Sequence, residues 1–398
     1  MININTENLQ TPCYVFDRIE LEKNFSDFHN ALKNNWSNYI FSYSVKTNSL
    51  PWIVTFARSK GCYAEVVSDA EYALAMRLGY SPEKIVFNGP VKGREMFLFA
   101  LEKGSIVNID SNRELDWVEE YSKKCNSVSV GLRVNIDLEK YCPGETVTGK
   151  AGGRFGFSYE NGTLKRVVDR LEKCGNIKIS GLHMHVTTLS RSNKVFENLA
   201  RFSVKIAEEY HLKLEYVDIG GGFFGGGSNV GAYDDYIKTI AKEFKKSFDA
   251  DNTSLIIEPG GAVVCTPGYY IARVIDVRET TVDRFVVTEA SRINIDHEMK
   301  KTRYVYSTVT ENKNLLPRQV ICGYTCMESD RLFVMENDRQ LEPGDVIIFH
   351  NAGAYSLCFS PVMFIDFPPV VYIRENDGRN TLVREKWTVN EYLQKTLF

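Results

Sequence analysis

Eight times between residues 39 and 258 the chain alternates a short apolar run, rich in β-branched and aromatic residues, with a longer stretch of mostly helical spacing. The apolar runs are residues 39–46, 62–67, 84–88, 106–110, 128–136, 177–186, 214–219 and 254–258. Short runs of this kind, separated by amphipathic helices, read as strands of an α/β protein. Eight such units over the roughly 250 residues that a barrel takes predict a (β/α)8 barrel. No internal repeat marks the closure, so an open doubly wound sheet with extra strands is the alternative.

Past Pro267 the texture changes. Closely spaced β-branched and aromatic runs at 269–277, 284–288, 303–309, 346–350 and 370–373, with turn signals such as Glu342-Pro343-Gly344-Asp345 between them, predict a second, all-β domain. Residues 11–16 come too early for the barrel's rhythm and are expected to pair with it, and residues 387–398 read as a short closing helix. The expected division is a barrel at 22–265 and a sandwich-like or barrel-like β domain built from 1–21 and 266–398.

A net charge of -3 gives no electrostatic reason to expect nucleic acid or an anionic membrane as partner, so the expected partner is a small molecule. No apolar run approaches the ~20 residues of a membrane span, and Met1-Ile2-Asn3-Ile4-Asn5 lacks the basic and apolar regions of a signal peptide. A cytoplasmic protein is expected. Nine scattered cysteines, an odd number, do not make a disulfide framework. Cys322 and Cys326 stand four apart, but no neighbouring Cys or His completes a zinc site, and no metal is expected.

Functional groups of a (β/α)8 barrel gather where its strands end. The first run ends on Lys46, the second carries Glu65, and the sixth carries His185 within Gly181-Leu182-His183-Met184-His185-Val186. The seventh passes into Asp218-Ile219-Gly220-Gly221-Gly222-Phe223-Phe224-Gly225-Gly226-Gly227, and the eighth delivers Glu258-Pro259-Gly260-Gly261. Each has a plain reading: a surface lysine capping a strand, a satisfied polar histidine, a flexible glycine connection, a salt-bridge glutamate. Jointly they have one chemical use. An amine dry enough to lose its proton, a backbone cradle for phosphate, a flat imidazole and a carboxylate together suit pyridoxal phosphate, the carboxylate keeping the pyridine nitrogen protonated.

These motifs closely resemble the fold-type III pyridoxal-phosphate decarboxylases, the family of diaminopimelate, ornithine and arginine decarboxylases, over nearly the whole chain. Ser44-Val45-Lys46-Thr47-Asn48 looks like the family's lysine motif, which implies that Lys46 carries the cofactor, pyridoxal 5'-phosphate, as a Schiff base. Glu65-Val66-Val67-Ser68 with Glu71 resembles the second-strand motif, with Glu where Asp is common. His183-Met184-His185 is similar to the segment whose last histidine stacks on the cofactor ring, so the resemblance gives that role to His185. Where the family continues with Gly-Ser this chain has Thr187-Thr188, and Thr188 is implied to offer its hydroxyl to the phosphate. Gly220, Gly221 and Gly222 match the phosphate loop. Glu258-Pro259-Gly260 matches the segment whose glutamate pairs with the pyridine nitrogen, and Gly260 and Gly261 count with it as cofactor-binding positions.

In the β domain, residues 326–330 resemble the family's cysteine motif and Gly353-Ala354-Tyr355 its tyrosine motif. The resemblance implies a head-to-tail homodimer with shared active sites, in which Cys326 reaches the other subunit's cofactor and steers reprotonation while Tyr355 contacts the phosphate. The alternative for Cys326 is an inert small residue. Two departures bear on substrate. Gly261 stands where the family usually has an arginine, and Met327 follows the motif cysteine where many members that bind a distal ammonium have an acid. Desolvating such an ammonium without a partner costs about several kcal/mol. Glu328 lies one position along, and Arg303 and Arg292 are candidates for a distal carboxylate.

Met327 and residues 359–364 resemble relatives whose amino-acid substrate is capped, conjugated or carrier-tethered. The expected reaction is α-decarboxylation of an L-amino acid or conjugate in a specialised biosynthesis. Diaminopimelate decarboxylation proper and amino-acid racemisation are the enzymatic alternatives. A cofactor-free regulatory homologue is the third, though it should have lost Lys46, His185, Glu258 and the glycine run.

Overall fold

The structure, a computed structural model, describes residue 6 and residues 8–226, 232–296, 301–359 and 367–397. The chain forms two compact units, one of residues Asn24–Ala262 and one of Met1–Lys23 with Val263–Phe398. Among the described residues no helix is long and apolar enough to cross a membrane.

In the first unit eight strands run parallel in chain order: Tyr39–Ser44, Tyr63–Val66, Ile85–Phe87, Ile106–Ile109, Val128–Asn135, Ile177–His183, Tyr216–Asp218 and Ser254–Ile257. The eighth pairs back on the first, Leu255 opposite Tyr39, so the ring is closed and the open-sheet alternative is excluded. The intervening helices start where the sequence places hydroxyl caps. Ser68, Ser111 and Ser192 each accept a hydrogen bond from the amide three residues on, at Glu71, Glu114 and Val195. Helix Asn193–Glu209 turns Val195, Phe196, Leu199, Phe202 and Ile206 inward, the spacing of one apolar helix face.

The barrel is filled, not hollow. Val86, Tyr216 and Ile256 pack with Ile40, Tyr63 and Ile106. Tyr216 crosses to strands five and six, where a Cβ at Gly131 or Gly181 would lie 2.1 Å from its side chain. Those two glycines are the space the tyrosine occupies.

One charged pair is buried outright. Lys92, after the third strand, reaches Glu114 at 2.9 Å, both side chains 0% exposed, and also donates to the Gly89 carbonyl at 2.8 Å. Burial lowers the Lys92 ammonium from its ordinary range, and Glu114 opposes that. Truncating one member leaves the other's charge stranded, so Lys92→Met should destabilise the barrel by about 3–5 kcal/mol. The double change Lys92→Met with Glu114→Leu should recover more than half of that loss, read as urea midpoints.

The second unit is a nine-stranded mixed sheet. Cys13–Asp17 lies within it, antiparallel to Gly268–Glu279 and parallel to Val370–Arg374. Strands Leu315–Cys322, Arg331–Arg339 and Asn380–Arg384 were not expected. The first two form a long antiparallel ladder whose exposed positions carry Arg318, Glu336 and Arg339, so polar residues hide the strand pattern. The expected run 303–309 shortens to Tyr306–Val309, and the closing helix to Val389–Leu393.

Candidate active site

The first strand stops at Ser44, and Lys46 sits in the short 3-10 turn Val45–Thr47 rather than on the strand itself. That turn aims its ammonium back at the barrel mouth. Lys46 Nζ lies 2.6 Å from Glu65 Oε2 and 2.9 Å from Ser44 Oγ, and the Ser44 hydroxyl donates to the same carboxylate oxygen at 2.6 Å. Lys46 is 34% exposed and Glu65 1%, so a reachable amine stands on a buried counter-ion. Glu71 accepts the Val67 amide at 2.9 Å, and burial pushes its carboxyl up to about 6.

Opposite Lys46 the ends of the sixth, seventh and eighth strands converge. His183, Asp218 and Glu258 each offer an atom within 4.8 Å of the others, and all three are buried. His183 Nε2 is 3.7 Å from Glu258 Oε2. Burial, reinforced by repulsion from Asp218 and Glu65, raises the Glu258 carboxyl well above its ordinary range, and burial raises Asp218 to about 7. Burial, with the Arg133 guanidinium next, pushes the His185 imidazole down to about 3 and His183 well below its usual value. At neutral pH the pocket therefore holds neutral imidazoles, and burial favours the protonated form of Glu258.

Glycine is required at the loop after strand seven. Gly220 has φ +77°, and a Cβ there would come within 2.4 Å of the His185 Cβ; one at Gly221 would come within 2.4 Å of the Glu258 carbonyl oxygen. The loop backbone thus presses against both residues. The Gly221 amide donates to His185 Nδ1 at 3.3 Å, which leaves the proton of the neutral ring on Nε2. The Gly220 amide donates to Asp218 at 2.8 Å.

Pyridoxal phosphate fits this arrangement. The amine is at Lys46, a flat imidazole at His185, a glycine backbone at Gly220 to Gly222, and a buried acid at Glu258. Both ring nitrogens of His183 are buried without a hydrogen-bond partner among the described residues, an orphan that a bound polar group would relieve.

The remaining predicted positions are placed as follows. Gly260 packs its backbone on Thr47, where a Cβ would sit 2.0 Å from Thr47 Oγ1, and Gly261 opens the short turn Gly261–Val264. Thr188 is half-buried, its backbone bridged to Thr146. In the second unit Cys326 is exposed on the turn between Leu315–Cys322 and Arg331–Arg339. Buried Asp330 shapes that turn, accepting from the Arg292 amide at 2.9 Å and the Thr325 amide at 3.3 Å. Met327 is half-buried, while Glu328 is 96% exposed and pairs with Arg331 at 3.3 Å.

Arg303 and Tyr355 are exposed, Tyr355 with φ +50°. Arg292 is committed to Asp296 at 2.7 Å, which corrects its expected availability for a substrate carboxylate. Residues 360–364 of the 359–364 stretch lie outside the described residues. Ser44, Asn88, Asn108, His183 and Asp218 were not singled out from sequence, although four of them lie at or just past strand ends.

The comparisons agree with this geometry. Residues 18–265 match the family model described as pyridoxal-dependent decarboxylase, pyridoxal binding domain. A probable chloroplastic diaminopimelate decarboxylase of Oryza sativa is 28% identical over 97% of this chain and 79% of that protein. The decarboxylase of L-glutamyl-BtrI acyl-carrier protein from Niallia circulans is 26% identical over 98% of this chain and 95% of that protein. The solved diaminopimelate decarboxylase of Methanocaldococcus jannaschii superposes with a TM-score of 0.86 at 23% identity, covering 98% of this chain and 93% of that one. With a family model spanning well over half of the chain and a barrel mouth shaped for its cofactor, the protein belongs to the pyridoxal-dependent decarboxylases, enzymes that use pyridoxal 5'-phosphate to decarboxylate an amino acid.

Proposed function

We propose that the enzyme removes the α-carboxylate of an L-amino acid whose far end is capped, conjugated or tethered to a carrier, in a specialised biosynthesis. The observation that carries the reaction is the facing pair at the barrel mouth: Lys46 on its buried counter-ion Glu65, and the buried acid Glu258 behind the glycine loop. Bound pyridoxal phosphate supplies the electron sink for the pair left when CO2 departs. Lys46 would hold the cofactor through its side-chain amine. His185 would support the ring's flat face, Glu258 would partner its nitrogen, and Gly220, Gly221 and Gly222 with Thr188 would meet the phosphate. In a head-to-tail homodimer Cys326 and Tyr355 of one protomer serve the barrel of its partner, Cys326 guiding the proton that replaces the carboxylate.

Three features support the substrate class. Met327 puts a thioether beside Cys326 where an acid would hold a distal ammonium, and the neighbouring Glu328 is exposed and turned to Arg331. Gly261 offers no guanidinium. The Niallia circulans relative is named for a carrier-bound glutamyl substrate. The relatives named as diaminopimelate decarboxylases favour a second reading, and one experiment separates the two.

CO2 release from meso-diaminopimelate, ornithine, lysine, free glutamate and carrier-tethered glutamate should show the conjugate turned over at least about tenfold faster than any free diamino acid. Rapid turnover of meso-diaminopimelate or ornithine overturns the substrate class and leaves the reaction standing.

A further inference from the structure

Asn88, buried just past the third barrel strand, is the joint of a hydrogen-bond chain that runs inside the barrel mouth. Its Nδ2 donates to Glu258 Oε1 and, at 3.4 Å, to Glu65 Oε1. Its Oδ1 accepts from Asn108 Nδ2 at 2.9 Å, and Asn108 Oδ1 accepts from the Tyr216 hydroxyl at 2.8 Å. The chain has one workable direction. Two carboxyl groups at one end call for donors, so Asn88 turns its NH2 to them and its oxygen to Asn108. Asn108 must then donate to Asn88 and accept from the phenol, which burial keeps protonated.

Holding Oε1 of both glutamates with one amide decides where each Oε2 points. Glu65 Oε2 takes the Lys46 ammonium and the Ser44 hydroxyl, both at 2.6 Å. Glu258 Oε2 faces the His183 ring at 3.7 Å. We propose that Asn88 is a positioning residue that presents one oxygen of Glu65 to Lys46 and one oxygen of Glu258 to the cofactor's ring nitrogen, and that separates the two carboxyl groups with a side chain that does not titrate. An aspartate in its place would accept where Asn88 donates and would compete for the proton on Glu258. The proposal rests on the reading of Lys46 and Glu258 as the cofactor's two partners.

The test is a pH titration of the bound cofactor's absorption in wild type and in Asn88→Asp, with cofactor affinity measured by equilibrium dialysis. Asn88→Asp should move the midpoint up by about one pH unit or more, because a further carboxyl beside Glu65, Glu258 and Asp218 favours every protonated form nearby. Cofactor affinity should fall by about tenfold or more as two donors to carboxyl oxygens are lost. The value of kcat should fall more than KM rises. Asn88→Ser, smaller and with one donor, should shift the midpoint in the same sense by less, and it carries the test if the aspartate variant fails to fold by circular dichroism. A wild-type band unmoved by both changes overturns the role of Asn88 alone. A wild-type protein with no band that Lys46→Ala removes overturns the functional reading, and this proposal with it.

Discussion

Replacing Lys46 with alanine should leave a folded protein that no longer carries pyridoxal phosphate through a reducible bond and whose kcat is lower by about a thousandfold or more. The size of the effect follows from the site. Lys46 sits in the turn after the first strand with its ammonium 2.6 Å from Glu65, and it is the amine that this turn aims at the barrel mouth. The fold should survive, because a third of the side chain is exposed and no core volume is lost. Glu65 keeps the Ser44 hydroxyl at 2.6 Å and the Asn88 amide as partners. The measurements are the visible absorption of the loaded protein and the mass retained after borohydride reduction. Survival of both signals in the variant would remove Lys46 from the role proposed for it.

Glu258→Gln should divide activity from stability. The amide cannot supply the negative charge that keeps a ring nitrogen protonated, so kcat should fall by about 10²–10³, the scale of losing one preorganised electrostatic partner. Without cofactor the same change should stabilise the protein at neutral pH and above. Burial and the neighbouring carboxyls raise Glu258, and burial raises Asp218 to about 7. A carboxyl raised in the folded state holds a proton that the unfolded chain releases. Its contribution is whole below the unfolded range of about 4 and is lost as pH climbs through the folded value. Glu258→Gln removes one such group, so its unfolding temperature should exceed that of cofactor-free wild type at about pH 8, and the gap should close toward about pH 4. A variant that is less stable at the higher pH, or one with undiminished kcat, contradicts this account of Glu258. The burial that makes the acid useful is a cost to the fold, as is common at active sites.

The barrel was legible in sequence because its strands are apolar on both faces and short. Each of the eight runs contains an observed strand, with no end trimmed by more than three residues. The β unit was less legible. Its longest ladder pairs Leu315–Cys322 with Arg331–Arg339, and exposed positions occupied by Arg318, Glu336 and Arg339 break the apolar signal that marks a strand. Arg292 illustrates a different limit. From sequence it was a cation available to a substrate, but a partner four residues along the chain, Asp296, holds it at 2.7 Å.

At the site, the residues that could be named from sequence are those whose chemistry is local. A lysine just past a strand end, a glycine run and a glutamate before Pro-Gly announce themselves by type and position. Asn88 and Asp218 do not, since an amide or an acid at a strand end has many plain uses. Their importance comes from neighbours that are distant in the chain: Asn88 meets Glu65 across 23 positions and Glu258 across 170.

By itself the sequence determined the eight-unit rhythm, the change to β structure after Pro267 and the set of groups suited to pyridoxal phosphate. Strand period and residue chemistry are properties of short segments, readable without a partner. Only the tertiary structure decided that the sheet closes on itself, with Leu255 against Tyr39, and that one buried amide donates to two glutamates from different strands. Closure and stagger set which side chains from different strands come within hydrogen-bond reach, and no segment carries that information alone.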